Sequence, residues 1–490
     1  MQAFVTEAGG RRLAPLPVRP VAGGTDVHIT VDADTPRQTV HGIGGSLTQA
    51  SAHAMSALSA ARRQEILTAL FAPDRAAYSL VRTHVASCDF STSSYTYAPE
   101  PDPSLAGFSI DVDRQNGHLA LLKGARAVPG ADFRIVASPW TAPPWMKDNG
   151  KFYDDTSDPR RGGRLLEEHH ETFARYLVKY AQAYRDEGLE PWAFTVVNAP
   201  HGIYGTWESM EMEPAQQRDV VEQMRRTFDK HGVDALIFCY DQNRTGAEEF
   251  AEGVLASRKA RKSVAGIAVH WYDSTFKVYE DELDKLHERF PEHPVLQSEG
   301  CIDNVFGKGK DRGPDAPLPW WKDDAWYWRK EATDWGYDWS TKKEDHPKYS
   351  PAFRYARDLV GCLAHHVTGW IDWNVVLDKR GGPNHVGNFC LAPILVDGPS
   401  DTVYYTPLFT ILEQVSRSTR PGAVIHRTDV QAPEHARGHL WAVGLVNPDG
   451  KRVVHVFYEG EQALSCRVDH GTESVEVTLP PGSLVTLQSS

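Results

Sequence analysis

Little in this 490-residue chain points to a membrane, a nucleic acid, a metal or a disulfide scaffold. No apolar run approaches the ~18 residues of a membrane span. The opening residues, MQAFVTEAGGRRLAP, lack the charged-then-apolar pattern of an export signal. The expectation is a soluble protein, either cytoplasmic or secreted with a signal trimmed away. Basic residues are the minority: 52 Lys and Arg against 65 Asp and Glu give a formal net charge of −13. Nucleic acids and anionic membranes are held by a surplus of positive charge, so neither is an expected partner. The six cysteines (Cys88, Cys239, Cys301, Cys362, Cys390 and Cys466) show no CxxC spacing and read as reduced residues rather than a disulfide framework. HExxH is absent, and in the pairs His169–His170 and His365–His366 sequence neighbours point in different directions. No metal and no organic cofactor is implied.

What is present is a recurring unit. A short apolar segment rich in β-branched residues is followed by a longer helical stretch, eight times over. The segments are Thr39–Gly44, Tyr78–Val85, Phe133–Pro139, Trp192–Val197, Asp234–Tyr240, Gly266–Trp271, Pro294–Gln297 and Thr368–Asp372. Patterns such as AARRQEILTALF and AQQRDVVEQMRRTF supply the helices, and EEHHE (167–171) reads as a solvated helix start. Continuous apolar strands alternating with helices predict a parallel sheet covered by helices, and eight units predict an α/β fold of the closed (β/α)8 type. A doubly wound open sheet competes, but no G-x-G-x-x-G follows an early strand. From about Val424 the helical period stops. The strands HLWAVGLV, RVVHVFY, ESVEVTL and SLVTLQ predict an appended antiparallel β-sandwich, to which DVHITVD near the start adds an edge. The expected division is an N-terminal contribution to the side domain (1–38), a catalytic barrel (39–405) and a C-terminal β-sandwich domain (406–490).

Function in such a barrel gathers at the strand ends, and here those ends carry an unusual polar and aromatic load. They include Arg82 with Cys88-Asp89-Phe90, Trp140, Asn198-Ala199-Pro200, Asp241-Gln242, His270-Trp271-Tyr272, Ser298-Glu299-Gly300 and Asp372-Trp373-Asn374. One such end is unremarkable; seven together describe a site that grips a polyhydroxylated ring, with indole faces for C–H surfaces and amides and carboxylates for hydroxyls. Glu299, between an apolar strand and a glycine, belongs at the mouth. Trp140 and Trp145, in the proline-stiffened SPWTAPPW, read as a rigid stacking wall or as core aromatics. A second cluster (Trp320, Trp321, Trp326, Tyr327, Trp328, Trp335, Tyr337 and Trp339) is either a self-packed insertion or a wall for further sugar units.

At these residues the sequence resembles glycoside hydrolase family 30, the family of glucosylceramidases and β-1,6-glucanases. The stretches HGIGGSLTQASA, VASCDFSTSSYTYA, ASPWTAPPWMK, WAFTVVNAP, GIAVHWY, QSEGCID, GWIDWNVVLD and GGPNHVGNF carry the likeness, in family order. The resemblance implies a retaining mechanism with Glu299 as nucleophile. Family members read Asn-Glu-Pro after strand four, so Ala199 stands where the acid/base glutamate would be. The resemblance also places Asn198 at the sugar 2-hydroxyl, Asp89, Trp140, Trp373 and Asn388 around the glucose pocket, and Tyr272 beside the nucleophile. Arg82 supports the nucleophile, and Gln242 falls at the same mouth. His385 departs from the tryptophan often found in its loop. The substrate class so implied is a neutral β-glucoside, β-1,6-glucan or gluco-oligosaccharides first and glucosylceramide next, with a β-xylosidase or xylanase as the alternative.

A methyl group at 199 can neither protonate a leaving group nor deprotonate water. Three readings follow: a deliberate Glu→Ala inactivation that traps a complex, a natural carbohydrate-binding pseudoenzyme, or replacement of the acid by Glu208, Glu211 or Glu213 acting from a mobile loop.

Overall fold

The computed structural model describes residues 1–153, 163–202, 207–303, 321–334, 336, 340 and 342–489. Eight parallel strands close into a barrel: β1 (Gly42–Ser46), β2 (Leu80–Val85), β3 (Arg134–Pro139), β4 (Ala193–Thr195), β5 (Leu236–Asn243), β6 (Gly266–His270), β7 (Val295–Glu299) and β8 (Val367–Asp372). Each pairs with the next, and β8 returns to β1 through Gly369↔Gly42 to Asp372↔Gly45. All eight expected segments are therefore barrel strands. Nearly every strand residue is buried, as required when helices cover one face and the barrel interior fills the other. The interior is packed by Leu80, Val136, Ala193, Phe238, Ala268, Leu296 and Ile371. Closure is tight enough that a Cβ on Gly44 would lie 1.8 Å from the Leu80 carbonyl oxygen, so only glycine fits there.

The covering helices start and stop where local chemistry says they should. Ser59 caps Ala60–Phe71 by accepting from the Arg62 N–H, and Ser350 caps Pro351–Ala364 through the Phe353 N–H. Pro214–His231 opens on a proline, whose missing N–H costs nothing in the first turn, and ends on left-handed Gly232.

Two departures from expectation concern the side domain, a ten-stranded, mostly antiparallel sheet. Val27–Thr39 is an interior strand and not an edge. It pairs antiparallel with Val424–Gln431 and parallel with Leu464–His470. Leu464–His470 is a further strand outside the expected set, its buried Leu464, Cys466, Val468 and His470 alternating with the less buried Ser465, Arg467 and Asp469. The first and last strands of the chain pair from Gln2↔Gln488 to Glu7↔Ser483. Helix Pro407–Ser418 joins the two bodies: Gln414 accepts from Thr6 Oγ1 (2.6 Å) and donates to the Leu484 carbonyl (2.9 Å).

The described part of the Trp-rich segment is packing. Trp326 and Tyr327 are buried, Trp321 packs edge-on against Tyr404 at 5.8 Å, and Arg12 lies over Trp328. Trp320, Trp335, Tyr337 and Trp339 lie outside the described residues. All six cysteines are free and buried, and no described His, Cys, Asp and Glu form a metal-holding group.

Candidate active site

Arg82 organises the mouth. Its guanidinium is fully buried and donates to four partners on four other strands or strand ends. Nε reaches Ser138 Oγ (3.0 Å), and Nη2 reaches both Asn198 Oδ1 (2.8 Å) and Asp241 Oδ2 (2.9 Å). The fourth bond, from Nη1, goes to Glu299 Oε2. The planar fork of five donors is what lets one side chain serve so many acceptors. Burial opposes the charge, but Asp241 and Glu299 more than compensate and hold Arg82 firmly cationic. Its flat face lies over Trp140 (4.8 Å) and Trp373 (5.6 Å), whose indoles stack 5.0 Å apart.

Glu299 is therefore braced on both oxygens, since the Tyr272 hydroxyl donates to Oε1 at 2.8 Å. Burial, with Cys301 and Glu299 nearby, raises the Tyr272 hydroxyl well above the ordinary tyrosine range, so it stays a neutral donor. Two neighbouring β-bulges aim these groups. The β6–β7 register skips Ser298, and the β5–β6 register skips Asp241. A bulge turns a side chain away from strict alternation. Here it brings Ser298 Oγ to Asp241 Oδ1 (2.6 Å), with His270 Nε2 on the same oxygen at 3.0 Å. Burial works against the Asp241 charge, yet Arg82 and His270 pull its carboxyl below the ordinary range, so it remains an anion.

Ala199 sits in the turn after β4 with left-handed backbone, φ +50°. That conformation costs an alanine roughly 1–2 kcal/mol. It is held by the neighbours: the Ala199 N–H donates to the Asp241 carbonyl (2.9 Å) and the Asn198 N–H to the Pro139 carbonyl (2.8 Å). The backbone that would present a side chain from 199 is thus built between β3 and β5.

Asp89 differs from the other carboxylates. Among the described residues it forms no ion pair; Asn388 Nδ2 approaches Oδ2 at 3.4 Å, and Oδ1 has no hydrogen-bond partner. Burial, with Glu299 and Glu208 adding repulsion, pushes its carboxyl up to about 8.

The structure thus gathers Arg82, Asn198, Glu299, Tyr272, Trp140 and Trp373 around one centre, with Asp89 and Asn388 beside it. Gln242 lies partly exposed at the bulged end of β5, and it is its neighbour Asp241 that enters the Arg82 network. Trp145 stands apart, its indole N–H on the Ala98 carbonyl (2.9 Å). Glu211 is taken by Arg164 (2.6 Å) and Glu213 is an exposed helix N-cap. Glu208 is not a mobile loop carboxylate: it is fully buried, accepting from Ser87 Oγ at 2.6 Å. Asp241, His270 and Ser298 stand in the strand-end strings and Glu208 among the candidate acids, but the sequence assigns none of them its contacts in the site, and nothing in it marks the bulges that turn Asp241 and Ser298 inward.

A barrel with a braced carboxylate at its mouth, stacked indoles around it and an appended β-sandwich defines the class of barrel glycoside hydrolases. Comparison narrows the class: the chain belongs to glycosyl hydrolase family 30. The model described as the family's TIM-barrel domain matches residues 40–313 and 323–418, and that of its beta sandwich domain matches 426–487. Among relatives, the lysosomal acid glucosylceramidase of Mus musculus is 30% identical over 464 residues, covering 94% of this chain and 82% of that protein. Endo-1,6-beta-D-glucanase neg1 of Aspergillus fumigatus is 25% identical, covering 87% and 80%. The structure of SrfJ from Salmonella typhimurium superposes with a TM-score of 0.81 at 26% identity, covering 100% of this chain and 99% of that one.

Proposed function

We propose that this chain is a retaining β-glycosidase for neutral β-glucosides, with Glu299 as nucleophile and Ala199 as an inactivating replacement of the acid/base glutamate. The observation that carries the reading is the bracing of Glu299. Arg82 and Tyr272 each fix one carboxylate oxygen, which presents the group in one orientation at the barrel mouth. A nucleophile so held attacks the anomeric carbon and forms a glycosyl ester, expelling the aglycone oxygen. With alanine at 199 that oxygen departs as an alkoxide, and water must later attack without a base. Losing such proton transfers typically costs about 10²–10⁴-fold. The substrate order is β-1,6-glucan or gluco-oligosaccharides, then glucosylceramide. A neutral β-glucoside is supported by the names of the mouse and Aspergillus relatives, a glucosylceramidase and an endo-1,6-beta-D-glucanase, and by Asp89 forming no ion pair among the described residues.

The test uses dinitrophenyl β-glucoside, β-xyloside and β-galactoside, each with and without azide. Dinitrophenolate needs no proton to leave, and azide needs no base to attack. The expected result is a β-glucosyl azide from the glucoside. Silence from all three sugars overturns Glu299 as nucleophile and leaves a carbohydrate-binding pseudoenzyme. Preference for the xyloside reassigns the chain to the β-xylosidase alternative.

A further inference from the structure

The sugar groups of the mouth divide between two halves of the barrel. Glu299 and position 199 follow β7 and β4, whereas Asp89 follows β2, and Trp373 and Asn388 follow β8. A ring whose anomeric carbon meets Glu299 would extend its far hydroxyls toward Asp89, which lies within electrostatic reach of Glu299, and toward Asn388 beside it. Around Asp89 three loops meet. Glu208, from the loop after β4, accepts from Ser87 Oγ in the loop after β2 (2.6 Å). Its other oxygen faces His385 Nε2, from the loop after β8, at 3.5 Å. Nδ1 of the same imidazole donates to the Ser91 carbonyl at 2.8 Å, because a carbonyl can only accept, and Ser94 Oγ lies 3.3 Å from Nε2. The His385 backbone N–H also binds Ser91 O (3.0 Å). The β8 loop is itself rigid, since Asn384 Oδ1 accepts from the N–H groups of Val386 (3.1 Å) and Asn388 (3.0 Å).

We propose that Glu208 and His385 wall off the distal end of the sugar pocket and restrict the enzyme to the terminal, non-reducing sugar of a chain. This rests on the orientation set by Glu299 as nucleophile. Two observations carry it. Glu208 is fully buried where three loops meet. In front of it Asp89 Oδ1 is buried and without a hydrogen-bond partner, and a free hydroxyl of a terminal sugar supplies one. A ring glycosylated at that hydroxyl adds a second ring where the wall stands. Sites built to hydrogen-bond a hydroxyl reject analogues that lack it by large factors, up to about 10⁴–10⁵ in favourable cases. Glu208 acts through His385, and His385 by excluding volume, so neither is a catalytic residue.

The experiment uses the protein as it stands, with azide. Dinitrophenyl β-glucoside is compared with dinitrophenyl β-gentiobioside and β-cellobioside, which carry an extra glucose on O6 or O4. The expected kcat/KM for each disaccharide is at least about 100-fold below that for the glucoside. Replacing the partly exposed His385 (His385→Ala) raises the gentiobioside-to-glucoside ratio at least about tenfold, an effect that mere destabilisation does not produce. Disaccharides turned over within tenfold of the glucoside overturn the proposal, as does an unchanged ratio in the variant. If no glycoside reacts, ligand NMR of methyl β-glucoside beside its 4-O-methyl and 6-O-methyl ethers decides the wall without catalysis. Selective binding of the unsubstituted glucoside sustains it, and equal binding overturns it.

Discussion

Replacing Asp89 by asparagine should make the unliganded protein more stable, and increasingly so as pH rises. The carboxyl is displaced from 3.8 to about 8 by burial next to Glu299 and Glu208. Between those values the folded chain keeps a proton that the unfolded chain releases. The unfolded state then binds fewer protons, so stability falls with rising pH. At about 1.36 kcal/mol per pH unit, the cost grows from about 2 kcal/mol at pH 5 to about 4 at pH 7, and levels off near 6 above pH 8. Asparagine has the same shape, carries no charge and still offers an oxygen to Asn388. Urea unfolding of Asp89→Asn beside the parent, from pH 5 to pH 8.5, reads this directly. Titrating groups not coupled to Asp89 cancel in the difference, leaving a gap that widens by about 4 kcal/mol over that range. A gap that stays constant with pH would refute the reasoning. Such a residue is kept for the ligand rather than for the fold.

Restoring the carboxyl with Ala199→Glu should raise kcat/KM on gluco-oligosaccharides by about 10²–10⁴-fold while changing the dinitrophenyl glucoside far less; steady-state kinetics on both substrates checks it, and equal gains would contradict a proton-transfer role. Arg82→Met takes the buried guanidinium from both Glu299 and Asp241, leaving them only Tyr272 and the Ser298–His270 pair, so the urea midpoint should fall by an amount equivalent to about 3–5 kcal/mol. Tyr272→Phe removes the 2.8 Å donor on Glu299 Oε1. A hydrogen bond to a charged group is worth about 1.5–3 kcal/mol, so azide-dependent turnover of the dinitrophenyl glucoside should drop roughly 10–100-fold.

The barrel was legible because its strands are buried on both faces, which writes uninterrupted apolar runs such as FRIVASP and GIAVHW. The strand-end chemistry was legible for the same reason: polar residues at the ends of such runs have few other places to go. Reasoning of this kind marks a residue as belonging to the mouth but not as touching its neighbour. Gln242 was chosen over Asp241 because a one-residue bulge, invisible in sequence, decides which of the two turns inward. Glu208 was misread as a loose loop carboxylate because its fixed partners, Ser87 and His385, lie far away along the chain.

Pairing of Gln2–Glu7 with Ser483–Gln488 sets the order in which the molecule can be completed during synthesis. The strand Val27–Thr39 emerges early, yet its partners begin at Val424, roughly 400 residues later. At about 5–20 residues per second that is a wait of some 20–80 s. Through it a thirteen-residue β-strand has both edges unpaired, the condition under which strands recruit wrong partners. The barrel can close around its own core meanwhile, so the side sheet is the last body to form and the most exposed to chaperones. The same pairing leaves the two chain ends adjacent, at Gln2 and Gln488. A circular permutant joined there and opened just before Val424 would translate the sheet in one uninterrupted stretch, ahead of the barrel it clasps.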